Sequence, residues 1–329
     1  MAARMKLSVD IETWPIEGGF TISRGSRTEQ PVVVARLEQD GVTGRGECVP
    51  YPRYGESIDS VAAELEAVRP AIEAGITRQS LLGVMKAGAA RNAVDGALWD
   101  LEAKRSGKPA WALAGMSEPK SLITCFTLSL GTPESMHAKA REAADRPLLK
   151  VKLGGDGDLE RVAAVREGAP KARLVVDANE AWTLDMLERF PPELARHGVE
   201  MIEQPLKAGE DNWPASLPRP VPICADESCH GVENLDRLVG RYDLVNVKLD
   251  KTGGLTAALE LVQAARAKGF GVMVGCMVGT SLGMAPAFLA AQLARYVDLD
   301  GPLILSRDRV PGIRFEGSLM HPPPRELWG

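Results

Sequence analysis

From residue 120 onward the chain repeats one pattern, in which a short apolar run rich in β-branched residues is followed by an amphipathic stretch with helical spacing. Eight such runs occur, at 122–130, 148–154, 172–179, 199–205, 222–228, 244–250, 271–277 and 296–301. Strands that alternate with helical crossovers form parallel sheets, and eight is the number that closes an α/β barrel. An open, doubly wound sheet is the rival, but no glycine fingerprint follows an early strand. The pattern therefore predicts a TIM-like α/β barrel.

The first 120 residues follow a different plan. Alternating strand-like segments joined by turns precede two helical stretches, which predicts an α+β domain with an antiparallel meander over 1–120. We place the barrel at 121–302. The last segment, about 303–329, combines strand-like pieces with many prolines, and we expect it to return to the first domain and complete it.

Charge and composition exclude several classes of partner. A net charge of −5 and an isoelectric point near 5.6 give no sign of a nucleic-acid or membrane-surface partner, and no apolar run is long enough to cross a bilayer. The five cysteines are scattered and no secretory segment is recognisable, so reduced thiols and a cytoplasmic location are expected. With only four histidines, a multi-histidine metal site is disfavoured.

Three acidic residues, Asp177, Glu203 and Asp226, end three consecutive predicted strands. Neighbouring strands lie about 5 Å apart, and barrels carry their functional groups at the carboxyl ends of the strands. Three carboxylates with room for water and substrate suit a hard cation such as Mg²⁺. The alternative is a ring of salt bridges with nearby lysines. Because the acids lie on successive strand ends, we predict one Mg²⁺ per subunit.

Lysines occupy the same level of the predicted barrel. Lys150 and Lys152 flank Val151 in an apolar run, so both side chains point to one side of the strand. Lys248 lies on the strand four places further round a ring of eight, and therefore opposite Lys152. Two bases on opposite faces of one carbon suit racemisation or epimerisation, and we expect desolvation and nearby cations to lower the pKa of each lysine. Lys150 is assigned electrostatic support near the substrate carboxylate.

Two further acids, Asp298 and Asp300, share one face of the eighth strand. This strand lies across the barrel from Glu203, so the pair calls for a cationic group on the substrate, such as an α-ammonium. A substrate carboxylate at the metal and an ammonium on the far side of the barrel mouth are too far apart for one amino acid. A dipeptide can span them. The alternative for these acids is a solvated turn.

In this order on a barrel, "KVK", "DANEAW", "EQP", "ADES" and "VKLDKTGG" resemble the enolase superfamily, whose members use a lysine or histidine base together with Mg²⁺. The paired lysines place the chain near the muconate-lactonising subgroup. "CMVGTSLG" followed by "DLDGP" is similar to the dipeptide epimerases, and "GFTISRGSRTE", "YPRYGES" and "GAARNAVDGALWDL" resemble the L-Ala-D/L-Glu epimerases. The resemblance runs through nearly the whole chain.

This resemblance implies a (β/α)7β barrel with an α+β capping domain. It also implies an isomerase that epimerises murein-derived dipeptides by 1,1-proton transfer through an enediolate, as in peptidoglycan recycling. Residue by residue, it assigns metal binding to Asp177, Glu203 and Asp226, acid/base catalysis to Lys152 and Lys248, and substrate contacts to Arg24, Thr127, Lys150, Cys276, Asp298 and Asp300. Gly279 and the absence of a basic residue in "CMVG" depart from the pattern, which leaves the preferred second residue open.

Other functions remain alternatives at this point. Sister reactions are N-acylamino acid racemisation, o-succinylbenzoate synthesis and cycloisomerisation, but their substrates bring no ammonium group to Asp298 and Asp300. "GTSLG" matches a nucleophile elbow, so a serine hydrolase would use Ser281, Asp308 and His321. The third alternative is a barrel that binds a ligand but has no enzymatic activity. The roles of Glu227, Asp250 and Lys251, and the existence of a homo-oligomer, are left open.

Overall fold

The computed structural model describes residues 4–329 and shows an N-terminal α+β unit beside a barrel. The N-terminal sheet is antiparallel and follows sequence order, with strands β1 (Lys6–Ile22), β2 (Gly25–Gln39) and β3 (Val42–Cys48). The helices of this unit are α1 (Ile58–Glu73), α2 (Arg78–Val84), α3 (Ala89–Ser106) and α4 (Ala110–Leu113). The predicted capping architecture is confirmed.

Helix α3 lies very close to β3 because two glycines of that strand carry no side chain. A Cβ added to Gly46 would lie 2.1 Å from the carbonyl oxygen of Ala93, and one added to Gly44 would lie 2.2 Å from that of Ala97. Both distances are far below van der Waals contact, so any larger residue would push the helix away. Close packing here also fixes Glu47, the neighbour of Gly46, in the buried space between cap and barrel.

The barrel has eight parallel strands in sequence order, as predicted. They are β5 (Phe126–Leu128), β6 (Leu148–Lys152), β7 (Arg173–Asp177), β8 (Val199–Glu203), β9 (Ile223–Ala225), β10 (Leu244–Lys248), β11 (Gly271–Gly275) and β12 (Tyr296–Asp298). The first and last strands approach each other, since Cys125 N donates to Val297 O at 2.8 Å. Leu299 N also donates to Thr124 Oγ1 at 2.8 Å. The sheet is therefore a nearly closed barrel.

Helices cover most crossovers of the barrel. They are α5 (Pro133–Glu142), α6 (Asp158–Gly168), α7 (Leu184–Arg196), α8 (Leu235–Leu238), α9 (Leu249–Thr252), α10 (Leu255–Ala267), α11 (Ser281–Ala291) and α12 (Gly301–Ile304). Within the described chain, the crossover from β8 to β9 has no helix. Its segment, 204–222, contains five prolines, which remove backbone donors and break helical runs.

The first predicted barrel strand, 122–130, is two strands in the structure. Its start, β4 (Leu122–Ile123), leaves the barrel and pairs with the C-terminal hairpin of β13 (Phe315–Glu316) and β14 (Leu319–Met320). The chain end also reaches the capping unit, where Trp328 Nε1 donates to Gly96 O at 2.9 Å. None of the helices formed by residues 4–329 has the length and hydropathy needed to cross a membrane.

Candidate active site

The barrel interior changes from apolar to charged along its strands. An apolar layer fills the end where the strands begin, and its members are Cys125, Leu148, Val175, Met201, Cys224, Leu244, Met273 and Tyr296. Residues two positions further on point the same way. That next layer consists of Thr127, Lys150, Asp177, Glu203, Asp226, Asn246, Gly275 and Asp298. The strand period of two thus places the charged groups above a sealed apolar floor, at the carboxyl ends.

Two buried lysines lie on opposite sides of this layer. Lys152 ends β6 and Lys248 ends β10, four strands apart in the barrel, as the sequence predicts. Lys152 Nζ donates to Asp177 Oδ2 at 2.6 Å, and Lys248 Nζ donates to Asp226 Oδ2 at 2.7 Å. Each ammonium is therefore held at the barrel mouth by an acid from a neighbouring strand.

A third lysine, Lys150, lies deeper and joins acids from several strands. Its Nζ donates to Asp298 Oδ2 at 2.6 Å and lies 2.7 Å from Glu203 Oε2 and 3.3 Å from Asp177 Oδ2. Its side chain is 2% exposed. The ring of salt bridges that the sequence left as an alternative is therefore present.

The electrostatics of the site are set by burial and by these pairs. Burial favours the neutral acid, but Lys152 and Lys150 outweigh it and hold the pKa of Asp177 below its ordinary value. Burial and the charge on Asp177 raise the pKa of Glu203 to about 7. Burial opposes the charge on Lys248, yet Asp226 and Glu203 outweigh it and raise its pKa. The expected lowering is wrong for Lys248, because carboxylates dominate its surroundings.

The carboxylate and amide oxygens of this layer are the type of ligand that a hard cation binds. Among residues 4–329, no three His, Cys, Asp or Glu side chains are arranged to hold a metal ion, because lysine ammoniums stand between the carboxylates. However, Asp298 Oδ1 and Asn246 Oδ1 are buried and accept no hydrogen bond from any described residue, while Glu203 Oε2 is paired with the Lys150 ammonium at 2.7 Å. Unpartnered buried oxygens are costly, and oxygen ligands are what Mg²⁺ prefers. Asp177, Glu203 and Asp226 end adjacent strands at this point.

A cleft enclosing about 730 Å³, part of it open to solvent, lies directly above the charged layer. We call it the main cavity. Most of the residues singled out from the sequence line it, namely Arg24, Thr127, Lys150, Lys152, Asp226, Lys248, Cys276, Asp298 and Asp300. Asp177 and Glu203 lie below its floor and are fully buried. Met277 and Val278, rather than Gly279, form part of its wall.

Asp298 ends β12, and Asp300 lies two residues further on, just before α12. The two acids do not form the solvated turn of the alternative interpretation. Asp298 and Asp300 are 5% and 3% exposed. Asp300 Oδ2 accepts a hydrogen bond from Thr127 N at 2.7 Å, and burial together with Asp298 raises the pKa of Asp300 to about 7. The pair and Thr127 therefore form one acidic corner of the main cavity.

Arg24 comes from the capping unit and covers the main cavity. It lies with Ser23 in the tight turn between β1 and β2, and that hairpin forms the roof. Its Nη1 donates to Asn179 O at 3.0 Å, and its Nη2 donates to Glu227 Oε1 at 2.8 Å and to Tyr51 Oη at 3.0 Å. The structure thus brings residue 24 to the ends of barrel strands more than 150 positions later in the chain.

Gln204 was missed by sequence reasoning, and the role of Lys251 was left open. Gln204 Oε1 accepts hydrogen bonds from Asp226 N at 2.8 Å and Ser228 N at 3.0 Å. Lys251 Nζ donates to Asp226 Oδ1 at 2.7 Å and to Asn246 O at 2.9 Å. Both residues hold Asp226 in place, so Lys251 has a positioning role. Asn246 was missed as well, although its shared strand parity with Lys248 was a signal in the sequence.

The hydrolase alternative is wrong. Ser281 is buried at the start of α11, where its hydroxyl donates to Asp308 and accepts from Ile313 N at 2.8 Å. His321 contacts Ser121 and Arg314 on the C-terminal hairpin instead. The three residues do not assemble a nucleophile and its base.

Comparison with known proteins gives matches over most of the chain. Residues 4–115 match the N-terminal domain model of mandelate racemase and muconate lactonizing enzyme, and residues 135–323 match the enolase C-terminal domain-like model. The L-Ala-D/L-Glu epimerase of Escherichia coli K12 is 47% identical over 94% of this chain and 97% of its own. An N-acetyl-D-glutamate racemase from Pseudoalteromonas is 44% identical over 91% and 95%.

Solved structures agree with this fold. An enolase family member from Agrobacterium tumefaciens, with homology to dipeptide epimerases, is 53% identical and superposes with a TM-score of 0.97 over 99% of this chain and 100% of its own. That structure contains sodium and L-Ala-L-Glu with an ordered loop. A dipeptide epimerase from Methylococcus capsulatus, complexed with Mg and L-Arg-D-Lys, is 31% identical with a TM-score of 0.90 over 99% of both chains.

Proposed function

The chain belongs to the mandelate racemase and muconate lactonizing enzyme family of the enolase superfamily, and on that premise we propose that it is an L-Ala-D/L-Glu epimerase. One observation carries the proposal from the structure itself. Lys152 and Lys248 reach the main cavity from opposite sides, and the acidic corner of Asp298 and Asp300 lies at a third side. This arrangement suits a substrate that has an ammonium group and an exchangeable α-proton.

Asp177, Glu203 and Asp226 are the residues that would hold Mg²⁺, as the dipeptide epimerase from Methylococcus capsulatus is complexed with Mg. When bound, Mg²⁺ supplies a positive charge that binds the substrate carboxylate and favours negative charge on it. A cation held there would also weaken the attraction of Asp226 and Glu203, which raises the pKa of Lys248. Lys251 and Gln204 keep Asp226 in place in either state.

The two lysines exchange the α-proton. One lysine, as the neutral amine, takes the proton from one face of the α-carbon, while the other, as the ammonium, gives a proton to the opposite face. The net result is inversion at that carbon with no change in composition. Lys150 stays charged, because Asp298, Glu203 and Asp177 surround it, and it attracts the substrate carboxylate.

The rest of the main cavity orients the dipeptide. Asp298 and Asp300 accept hydrogen bonds from the α-ammonium group, and Thr127 and Cys276 contact the peptide beside them. Arg24 faces the side chain of the second residue from the roof. An acidic second residue is the natural partner of a guanidinium, which supports glutamate.

The cellular setting is proposed from the same substrate. Murein-derived dipeptides place the enzyme in the cytoplasm and in peptidoglycan recycling. We assign residues 1–120, completed by about 303–329, to the capping domain and 121–302 to the catalytic barrel. The ligand is a small dipeptide, and we propose no nucleic-acid or membrane partner.

A second candidate function is N-acylamino acid racemisation, because the N-acetyl-D-glutamate racemase is nearly as similar as the epimerase. The acidic corner favours the epimerase, since an N-acyl group carries no positive charge to pair with Asp298 and Asp300.

The deciding experiment supplies both substrates. The protein is incubated in D₂O with Mg²⁺ and either L-Ala-L-Glu or N-acetyl-D-glutamate, and deuterium at the α-carbon and inversion are followed by mass spectrometry and polarimetry. We expect the dipeptide to be epimerised with the higher kcat/KM. Faster turnover of N-acetyl-D-glutamate would replace the proposal by the second candidate.

A further inference from the structure

Arg24 is already paired with an acid of the protein. Its Nη2 lies 2.8 Å from Glu227 Oε1, and its Nη1 lies 3.3 Å from Glu180 Oε2. Together with Asn179 O and Tyr51 Oη, these acceptors use the outer nitrogens of the guanidinium. A carboxylate arriving on a substrate therefore meets an arginine whose charge is already balanced.

The two acids differ in how much they depend on Arg24. Glu180 accepts two hydrogen bonds from Arg53, at 2.8 and 2.7 Å, and one from Ala208 N at 2.8 Å. Glu227 has Arg24 as its ion-pair partner, and its Oε2 is buried and accepts no hydrogen bond from residues 4–329. Glu180 is satisfied without Arg24, whereas Glu227 is not.

Glu227 also stands between two open spaces. It lines the main cavity together with Tyr54, and the same two residues line a second, more open cleft under the capping unit. This side cleft has basic groups on its wall, Arg53, Lys86 and Lys251, and also the acids Glu56 and Asp250. The carboxylate of Glu227 thus adjoins a second, solvent-open space next to the one it occupies.

On the basis of the proposed function, we propose that Glu227 sets how strongly the site prefers an acidic second residue, by competing with the substrate side chain for Arg24. A γ-carboxylate that binds Arg24 has to displace or lie beside the carboxylate of Glu227. Like charges at such short distance repel, and two acceptors share one guanidinium. A neutral side chain escapes this competition. Glu227 is therefore a specificity-determining residue that broadens the range of accepted dipeptides.

The test compares two substrates of nearly equal shape, L-Ala-L-Glu and L-Ala-L-Gln, with Mg²⁺ present. The measured quantity is the ratio of kcat/KM for the glutamyl over the glutaminyl dipeptide, which cancels effects common to both. In Glu227→Gln we expect this ratio to rise about tenfold, the scale of removing one like-charge neighbour at a partly buried site. Glu227→Ala provides the same test with a smaller side chain, and thermal unfolding establishes that each variant is folded.

The matched control is Glu233→Gln, which makes the same chemical change six residues later at an exposed position. Its ratio is expected to stay at the wild-type value. In an Arg24→Met background, the shift caused by Glu227→Gln is expected to be at least about threefold smaller, because the two residues act as a pair.

The outcomes separate this inference from the proposed function. If the wild-type protein epimerises dipeptides and the ratio rises in the folded Glu227 variants but not in Glu233→Gln, the inference stands. An unchanged or lower ratio in those variants overturns it and leaves the epimerase intact. A wild-type protein that turns over neither dipeptide overturns both.

Discussion

Replacing Arg309 by methionine tests how the capping unit holds the wall of the main cavity. Arg309 Nη2 lies 2.7 Å from Glu47 Oε2 and 2.6 Å from Glu12 Oε2, and its Nε donates to Thr280 Oγ1 at 2.6 Å. The Glu47 side chain is 0% exposed and that of Arg309 is 11% exposed. Glu47 also accepts from Thr280 N at 2.8 Å. Removing Arg309 therefore leaves a buried carboxylate without a cation.

The size of the effect follows from this burial. Breaking a buried pair by removing one partner costs about 3–5 kcal/mol. Unfolding entropy of about 2.1 cal/mol/K per residue gives about 0.7 kcal/mol/K for 329 residues. The melting temperature in Arg309→Met is therefore expected to fall by about 4–7 °C. Because Thr280 follows the wall residues Met277 and Val278, KM for the dipeptide is expected to rise as well.

Calorimetry and steady-state kinetics on matched variants check this reasoning. The control is Arg307→Met, two residues earlier, where the arginine is exposed and lies 5.5 Å from the Trp14 ring. Its melting temperature is expected to fall by no more than about 1 °C, in line with an exposed cation–π contact of about 0.5 kcal/mol. The double variant Glu47→Gln/Arg309→Met should recover part of the loss, because an amide needs no counter-charge. Equal losses in Arg309→Met and Arg307→Met would refute the argument.

Three predictions concern the site directly. Exhaustive EDTA treatment and desalting should abolish epimerisation and added Mg²⁺ should restore it, whereas full turnover without metal contradicts the assignment of Asp177, Glu203 and Asp226. Lys152→Ala should lose epimerisation but retain solvent deuterium exchange at the α-carbon of one epimer, and Lys248→Ala should retain it for the other epimer, as followed by mass spectrometry. A single variant that still interconverts both epimers near the normal rate rules out two opposed bases. Arg24→Met should raise KM for L-Ala-L-Glu much more than for a neutral dipeptide, and equal effects remove this arginine from specificity.

The strand pattern could be predicted because it is a local property of the backbone. A period of two puts Lys150 and Lys152 on one face whatever the rest of the chain does, and eight such strands leave few ways to close a sheet. Asp177 and Lys248 come last in their apolar runs, which puts them at the carboxyl ends of their strands. These positions depend on spacing within a few residues, which the sequence displays directly.

Contacts between the capping unit and the barrel could not be predicted in this way. Arg24 and Glu227 are 203 positions apart, and the helix and strand periodicities of the sequence give no information about contacts over such a distance. Thr280 and Glu47 are likewise joined only through the fold. The path of the proline-rich crossover at 204–222 also depends on tertiary contacts. The same holds for β4, which leaves the barrel, because a short apolar run fits either sheet equally well.

The formal charge of the barrel mouth provides an independent argument about the substrate. Five nearly buried acids lie there, namely Asp177, Glu203, Asp226, Asp298 and Asp300. Four nearly buried lysines accompany them, namely Lys150, Lys152, Lys248 and Lys251. With one lysine as the neutral amine that proton transfer needs, two negative charges are in excess, and a divalent cation would balance them. The pair of Arg24 and Glu227 adds nothing to this balance.

A net charge is expensive in a buried site, so this layer favours a substrate whose ammonium group balances its α-carboxylate. L-Ala-L-Glu meets that condition and brings one further carboxylate on its side chain, which Arg24 faces from the roof. N-acetyl-D-glutamate has two carboxylates and no ammonium group, so it adds two negative charges and leaves Asp298 and Asp300 without a cationic partner on the substrate. Of these two acidic substrates the charge balance therefore favours the dipeptide, and the choice of its second residue depends on Arg24 and Glu227.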